Sequence, residues 1–283
     1  MEFATLSNGN KIPMLGFGVY QIPPEDTAKA VREAIEIGYR HIDTAQAYFD
    51  EEQVGEGVRE SGIDRDDLFI TSKVWMSNFA YEDTISSVNG SLRRLGTDHI
   101  DLMLLHQPFG DVFGAWRALE ELYKDGKVRA IGVSNFSPVQ VENITAFNTI
   151  APMVNQIETN PLNQQIDVHN WLAERGIVQE AWAPFGEGRD NMFTNPVLAK
   201  IGEAHGKSVA QVILRWLIQR GIVALAKSTH KERMAQNFDI FDFTLTDDEM
   251  KTIASLDTAS SLFIDHNSPD TVKMLSQFNV PRD

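Results

Sequence analysis

The stretch His41-Ile42-Asp43-Thr44-Ala45-Gln46-Ala47-Tyr48 is a short apolar run that passes into a loop. His41 and Asp43 are two residues apart, so an extended backbone points both side chains to one face. A carboxylate at the end of a strand is costly to bury unless a cation or hydrogen-bond donors meet it. The stretch therefore predicts a buried strand whose C-terminal end carries a polar site.

Two later apolar runs also end in a polar residue. The run at 68–73 ends in Lys73, and the run at 100–106 ends in His106. Successive strands that each deliver one polar group at the C-terminal end are typical of the active face of a (β/α)8 barrel. The sequence therefore predicts that Asp43, Lys73 and His106 meet on that face.

The rest of the chain supports the same fold. Asn8-Gly9 separates two short segments within residues 2–14, which is the pattern of a β-hairpin. Eight strand-like segments follow, each succeeded by a helix-like segment, so the predicted fold is an α/β TIM barrel with an N-terminal hairpin and extra C-terminal helices. We expect residues 1–283 to form a single domain. A doubly wound sheet is the alternative, disfavoured because no strand leads into a G-x-G-x-x-G turn.

Composition narrows the class of protein. The 283 residues have a formal net charge of −15, and such a surface repels nucleic acids and anionic membranes. The absence of cysteine excludes disulfides, thiolate metal sites and a cysteine nucleophile. No apolar run approaches the ~20 residues of a membrane span, and the N-terminus does not resemble a signal peptide. We expect a cytoplasmic protein.

Asp43, Tyr48, Lys73 and His106 are candidates for proton-transfer chemistry. A lysine ammonium beside a tyrosine hydroxyl lowers the pKa of the phenol, and an aspartate keeps that lysine charged. A neutral histidine can hold a carbonyl oxygen, so the group could protonate the alkoxide formed when hydride reaches a carbonyl. The alternative interpretation is a structural Asp–Lys ion pair beside a loop tyrosine.

A second candidate site is the segment Lys227-Ser228-Thr229-His230-Lys231-Glu232-Arg233. It follows the eighth strand and opens a helix, so it combines free backbone N–H groups with cationic side chains. Barrels often bind phosphate at this place. The alternative is a solvated capping turn with surface lysines.

Five segments in order resemble the aldo-keto reductase family, in particular its short bacterial members of the 2,5-diketo-D-gluconate reductase type. The matching segments are GYRHIDTA at 38–45, LLHQP at 104–108, IGVSNF at 131–136, VNQIE at 154–158 and KST at 227–229. The resemblance implies an NADPH-dependent barrel that reduces aldehydes or ketones, with Asp43, Tyr48, Lys73 and His106 as its catalytic tetrad.

The resemblance also implies where NADP(H) binds. The nicotinamide is expected on Ser134, Asn135, Gln156 and Trp182. The adenosine 2′-phosphate end is expected on Lys227, Ser228, Thr229, Arg233, Gln236 and Asn237. Gln236 stands where the family usually has a glutamate, and Gln107 follows the active-site histidine where many members carry tryptophan.

The substrate is expected to be a small carbonyl compound. Tyr20, Trp75 and Phe109 are candidates for an apolar, aromatic pocket wall, and the resemblance favours a monomer. One alternative is a non-catalytic NADP-binding sensor or structural barrel. A metal-dependent hydrolase using His41, Asp43 and His106 has a poor ligand count, so no metal is predicted. A Schiff-base aldolase is disfavoured because Asp43 would keep Lys73 charged.

Overall fold

Eight parallel strands close into a barrel in the computed structural model, which describes residues 1–282. The strands are β3 (Leu15–Gly18), β4 (His41–Asp43), β5 (Phe69–Val74), β6 (Leu102–Leu105), β7 (Ile131–Ser134), β8 (Val154–Glu158), β9 (Val178–Trp182) and β10 (Val223–Ala226). They pair in chain order, and β10 closes the ring against β3. The predicted TIM barrel is therefore confirmed.

A separate two-stranded hairpin precedes the barrel. Its strands β1 (Phe3–Thr5) and β2 (Lys11–Pro13) pair antiparallel, with Phe3 opposite Pro13. Gly9 lies between them at φ +89°, a backbone conformation that glycine adopts without steric cost. The predicted N-terminal hairpin is confirmed.

Eleven helices surround or extend the barrel within residues 1–282. They are α1 (Pro24–Ile37), α2 (Glu51–Ser61), α3 (Tyr81–Leu95), α4 (Val112–Lys124), α5 (Pro138–Phe147), α6 (Ile166–Ala173), α7 (Pro196–His205), α8 (Val209–Gln219), α9 (Lys231–Phe238), α10 (Asp247–Ala254) and α11 (Pro269–Ser276). The helices α10 and α11 are the expected C-terminal additions. None of these helices is both long enough and apolar enough to cross a membrane.

The pattern Ser/Thr-x-x-Gln/Glu predicts four capping boxes, at Ser137, Ser208, Thr229 and Thr246, and three of them are present. Ser137, Ser208 and Thr246 each form the expected capping box at the start of α5, α8 and α10. The box expected at Thr229 is absent, and α9 begins at Lys231 with no side-chain cap on its first turn. The Ser228 hydroxyl instead accepts the backbone N–H of His230 at 3.1 Å, and this bond shapes the turn that precedes the helix.

The barrel strands are buried on both faces, because helices cover the outside and side chains fill the inside. Large side chains such as Trp116 on α4 and Trp216 on α8 are almost fully buried in the surrounding layer. Burial of each such side chain contributes roughly 1.5–3 kcal/mol. The apolar layer supports a polar cluster at the C-terminal ends of the strands, where Asp43 and Lys73 are almost completely buried.

The C-terminal segment packs on the same end of the barrel. The carbonyl of Phe278 accepts the Trp75 Nε1–H at 2.7 Å, and the Phe278 ring packs edge-on against Trp75. Ser77 and Val280 also bond to each other. These contacts place the residues that follow α11 beside the C-terminal end of β5, the strand that carries Lys73.

Candidate active site

Lys73 is the hub of the polar cluster. From β5 its Nζ donates to Asp43 Oδ1 at 2.7 Å, to the Thr44 carbonyl at 3.0 Å and to the Tyr48 hydroxyl at 3.2 Å. Asp43 ends β4, and Tyr48 follows in a short 3-10 turn at Gln46–Tyr48. The three bonds use the three hydrogens of the ammonium, so the predicted convergence of these residues is present.

Burial and charge set the protonation states of this cluster. Burial alone lowers the pKa of Lys73, but the Asp43 carboxylate and the Tyr48 hydroxyl outweigh it and raise that pKa above its usual value. Burial raises the pKa of Tyr48 to about 12, although Lys73 acts in the opposite direction. The lysine is therefore a cation and the tyrosine a neutral hydroxyl at physiological pH.

His106 lies directly after β6 and faces Tyr48. Its ring packs edge-on to Tyr48 at 5.7 Å and to Trp75 at 5.2 Å between centroids. Burial, reinforced by the Lys73 charge, holds the pKa of His106 well below its ordinary value. No residue in the described range bonds its Nδ1. A neutral imidazole in this place can bond a substrate oxygen without adding charge.

A second group of side chains adjoins the cluster at the ends of β7, β8 and β9. We call it the polar shelf, and it consists of Ser134, Asn135, Gln156 and Trp182. Asn135 is its centre: its Nδ2 donates to the Ser134 hydroxyl and to the His106 carbonyl, both at 3.1 Å. Its Oδ1 accepts the Trp182 Nε1–H at 2.9 Å, and Asn135 adopts a left-handed backbone with φ +66°. The shelf therefore combines amide groups with an aromatic ring, groups that suit a planar ring bearing a carboxamide.

Gln156 on β8 connects this shelf to the Asp43–Lys73 cluster. Its backbone carbonyl accepts the Ser134 hydroxyl at 2.9 Å, and its side-chain Nε2 lies 2.9 Å from Asp43 Oδ2. The same Nε2 lies 2.7 Å from Glu180 Oε2. Sequence reasoning missed Glu180, although a glutamate within the buried strand at 178–182 was a visible signal.

The second candidate site is a cleft of about 580 Å³ after β10. The residues that line it are Phe185, Phe193, Ser208, Val209, Ala210, Lys227, Ser228, Thr229, His230, Arg233, Gln236 and Asn237. All six residues predicted for the phosphate end are among them. The starts of α8 and α9 both border the cleft, so two sets of free backbone N–H groups meet there.

Its charge suits an anion. Lys227 and Arg233 are exposed, and neither has a carboxylate within ion-pair distance among residues 1–282. Sequence reasoning missed Phe193, Val209 and Ala210, which also line the cleft. The Phe193 ring packs against Phe185, with centroids 5.5 Å apart. Ser208 was recognised as a helix cap only, although a helix start was the signal for an anion site.

The three aromatic residues predicted for the pocket wall have different neighbours. Tyr20 packs on Tyr48 at 4.8 Å between centroids, and Trp75 packs on His106. Phe109 instead stacks on His266 at 6.4 Å, with no ring contact to Tyr48 or His106 within the described residues. Phe278, which the sequence did not single out, completes the wall through Trp75.

His41 does not join His106. It lies fully buried on β4, where its Nε2 is 3.0 Å from the Thr71 hydroxyl. Across residues 1–282, no three histidine, aspartate or glutamate side chains gather closely enough to hold a metal ion. The hydrolase alternative therefore lacks the converging ligands that it requires.

The profile of the aldo/keto reductase family matches residues 14–258. Glyoxal reductase of Bacillus subtilis is 47% identical over 253 residues, which cover 89% of this chain and 91% of that protein. The crystal structure of MGS-M4, an aldo-keto reductase from a Medee basin deep-sea metagenome library, superposes with a TM-score of 0.92 at 40% identity, covering 94% of this chain and 98% of that one. An aldo-keto reductase of Bombyx mori in complex with NADP superposes with a TM-score of 0.88 at 36% identity, covering 93% and 95%.

Proposed function

Because this chain belongs to the aldo/keto reductase family, we propose that it reduces aldehyde or ketone groups of small carbonyl compounds to alcohols with NADPH, and that Tyr48 donates the proton. The observation that carries the proposal is Lys73, whose Nζ bonds both Asp43 at 2.7 Å and Tyr48 at 3.2 Å. An ammonium in this position stabilises the phenolate that forms when the tyrosine gives up its proton.

The site residues fit NADPH. When bound, the dihydronicotinamide supplies the hydride. The amide groups of Asn135 and Gln156 and the ring of Trp182 can bind a carboxamide-bearing ring. At the other end, the exposed side chains of Lys227 and Arg233 can bind a phosphate in the cleft. Unpaired cations on a chain with a net charge of −15 favour a specific anion site over a random surface feature.

His106 and Tyr48 then act on the substrate oxygen. The neutral His106 imidazole orients the carbonyl by a hydrogen bond, and the Tyr48 hydroxyl donates its proton as negative charge develops on that oxygen. Asp43 keeps Lys73 cationic and fixes its direction. Tyr20 and Trp75 provide an aromatic wall that suits small carbonyl compounds.

A substrate panel tests the proposal. Purified protein with saturating NADPH should oxidise the cofactor when given small aldehydes, and dicarbonyls such as glyoxal come first because of the relative named above. NADPH binding without turnover on any carbonyl would instead support the non-catalytic alternative. A monomeric state and a cytoplasmic location stay predictions.

A further inference from the structure

Glu180 is a carboxyl group enclosed by the barrel. It lies on β9 directly opposite Gln156 of β8 in the strand register, and it has no exposed surface. Within residues 1–282, no lysine or arginine lies within ion-pair distance of it, because Lys73 is bonded to Asp43 instead. A buried carboxyl without a cation is costly when ionised, so its presence here requires a reason.

The Gln156 amide supplies the nearest contact. One atom of this amide lies 2.9 Å from Asp43 Oδ2 and 2.7 Å from Glu180 Oε2. The Asp43 carboxylate can only accept hydrogen bonds, so the atom between the two carboxyl groups must be the donor Nε2. Both of its hydrogens are then used, which fixes the amide plane. Both side-chain hydrogen bonds of Gln156 within the described part of the chain use Nε2, so Oε1 can accept a bond from a ligand.

The surrounding charges favour an uncharged Glu180. Asp43 already balances Lys73, and burial lowers the pKa of His41, whose Nε2 lies 3.6 Å from Glu180 Oε1, to about 3. Burial, followed by the nearby Asp43 charge, raises the pKa of Glu180. A negative charge on Glu180 would compete with Asp43 for the single cation Lys73.

We propose that Glu180 is a positioning residue for carbonyl reduction: its uncharged carboxyl holds the Gln156 amide so that Gln156 Oε1 can accept a hydrogen bond from the carboxamide of NADPH. This inference rests on the proposed function. Glu180 acts only through Gln156, since its carboxyl is enclosed and touches neither substrate nor cofactor.

The variant Glu180→Leu removes the acceptor and leaves one Gln156 hydrogen without a partner. Loss of one ordered hydrogen bond to the carboxamide should weaken NADPH binding about tenfold. Binding of adenosine 2′,5′-bisphosphate, which lacks the nicotinamide, should stay within about twofold of wild type. The control Gln179→Leu removes the next polar side chain of β9, which bonds Thr159 and His169 away from the site, and it should leave the ratio of the two affinities unchanged.

The variant Glu180→Gln keeps the shape and the acceptor but cannot ionise. It should bind NADPH with wild-type affinity at neutral pH. In the free wild-type protein, the folded state retains a proton on Glu180 that the unfolded chain loses above about pH 4.3, so stability should fall as pH rises above that value. In Glu180→Gln, this contribution to the loss of stability with rising pH should be absent. The measurement needs no cofactor.

Three results would overturn the inference: equal weakening of NADPH and the bisphosphate in Glu180→Leu, loss of NADPH affinity in Glu180→Gln, or identical pH dependence of stability in Glu180→Gln and wild type. If Glu180→Leu does not fold, the Glu180→Gln measurements decide alone. Failure of wild-type protein to bind NADPH would instead remove the proposed function itself, and the two failures are thereby distinguished.

Discussion

The Lys73 ammonium lies 3.2 Å from the Tyr48 hydroxyl, within a setting that burial has made unfavourable for a phenolate. Lys73 lowers the pKa of the tyrosine, as its sequence position indicated, but burial has the larger effect and the result is about 12. Tyr48 therefore keeps its proton at neutral pH. The lysine acts after that proton leaves, when a phenolate forms beside a fixed cation.

Tyr48→Phe should abolish turnover and leave NADPH affinity almost unchanged, because it removes a proton donor and little else. We expect kcat to fall more than tenfold, which corresponds to a barrier increase above ~1.4 kcal/mol. The control is Tyr123→Phe, which removes a hydroxyl that lies 3.5 Å from Asn8 Nδ2 of the N-terminal hairpin and should leave kcat unchanged. The role assigned to Tyr48 is wrong if Tyr48→Phe keeps more than a tenth of wild-type kcat.

Lys73→Met should stop catalysis and also destabilise the fold. It leaves Asp43 as a buried carboxylate without its cation, a change that costs about 3–5 kcal/mol in the free energy of unfolding. The double variant Asp43→Asn/Lys73→Met should recover much of that loss in urea denaturation but no activity. An Asp43→Asn/Lys73→Met protein no more stable than Lys73→Met would contradict the buried pair.

The strand ends were readable from sequence for a physical reason. A charge that closes an apolar run marks the end of a buried strand, and parallel strands place such ends at one face. The sequence therefore predicts correctly that Asp43, Lys73 and His106 lie at one end of the barrel. Helix caps are also predictable from sequence where they depend on hydrogen bonds between residues close in the chain, as at Ser137 and Ser208.

What sequence could not predict depends on contacts between distant segments. The strands of a parallel barrel are buried on both faces, so no alternation shows that Glu180 points inward to Gln156. The hydrogen bond from Trp75 to the Phe278 carbonyl joins residues 203 positions apart. Because its acceptor is a backbone atom, the pattern of side chains in the sequence does not predict it. The capping box expected at Thr229 is absent, and the Ser228 hydroxyl instead accepts the backbone N–H of His230.

Asp50→Asn should stabilise the protein increasingly as pH rises. Asp50 precedes α2, its Oδ1 accepts the Thr44 hydroxyl at 2.5 Å, and burial raises its pKa to about 7. Between about pH 3.9, where the unfolded aspartate ionises, and pH 7 the folded state keeps a proton that the unfolded chain has lost. Wild-type stability therefore falls across this window, and asparagine, which can still accept from Thr44, removes that fall. The gain should be on the order of 2–4 kcal/mol above about pH 7.

Thermal unfolding at a series of pH values measures this gain. The matched control is Glu51→Gln, since Glu51 is also buried but bonds Arg94 at 2.9 Å and Ser72 at 2.5 Å. Loss of that ion pair should destabilise the protein at neutral pH, the opposite sign. A stability difference between Asp50→Asn and wild type that does not change from pH 4 to pH 7 would contradict the prediction.

Arg233→Ala should weaken NADPH and leave NADH almost unchanged. The two cofactors differ only in the 2′-phosphate, and Arg233 lines the cleft proposed for that group with Lys227 and Ser228. A charge-assisted contact contributes about 1.5–3 kcal/mol, or roughly ten- to a hundredfold in affinity. Because Arg233 is exposed, salt should screen the contact, and the loss of affinity should shrink at high ionic strength.

Lys231→Ala is the control for Arg233→Ala because it removes one positive charge from the same helix outside the cleft. Lys231 bonds Glu36 at 2.7 Å, so its charge is already balanced, and NADPH affinity should change little. Titration of both cofactors by quenching of protein fluorescence measures their affinities for wild type and for the two variants, with Trp182 as the expected reporter. If Arg233→Ala weakened NADPH and NADH equally, Arg233 would support the fold of the cleft, and the 2′-phosphate would have to bind other residues.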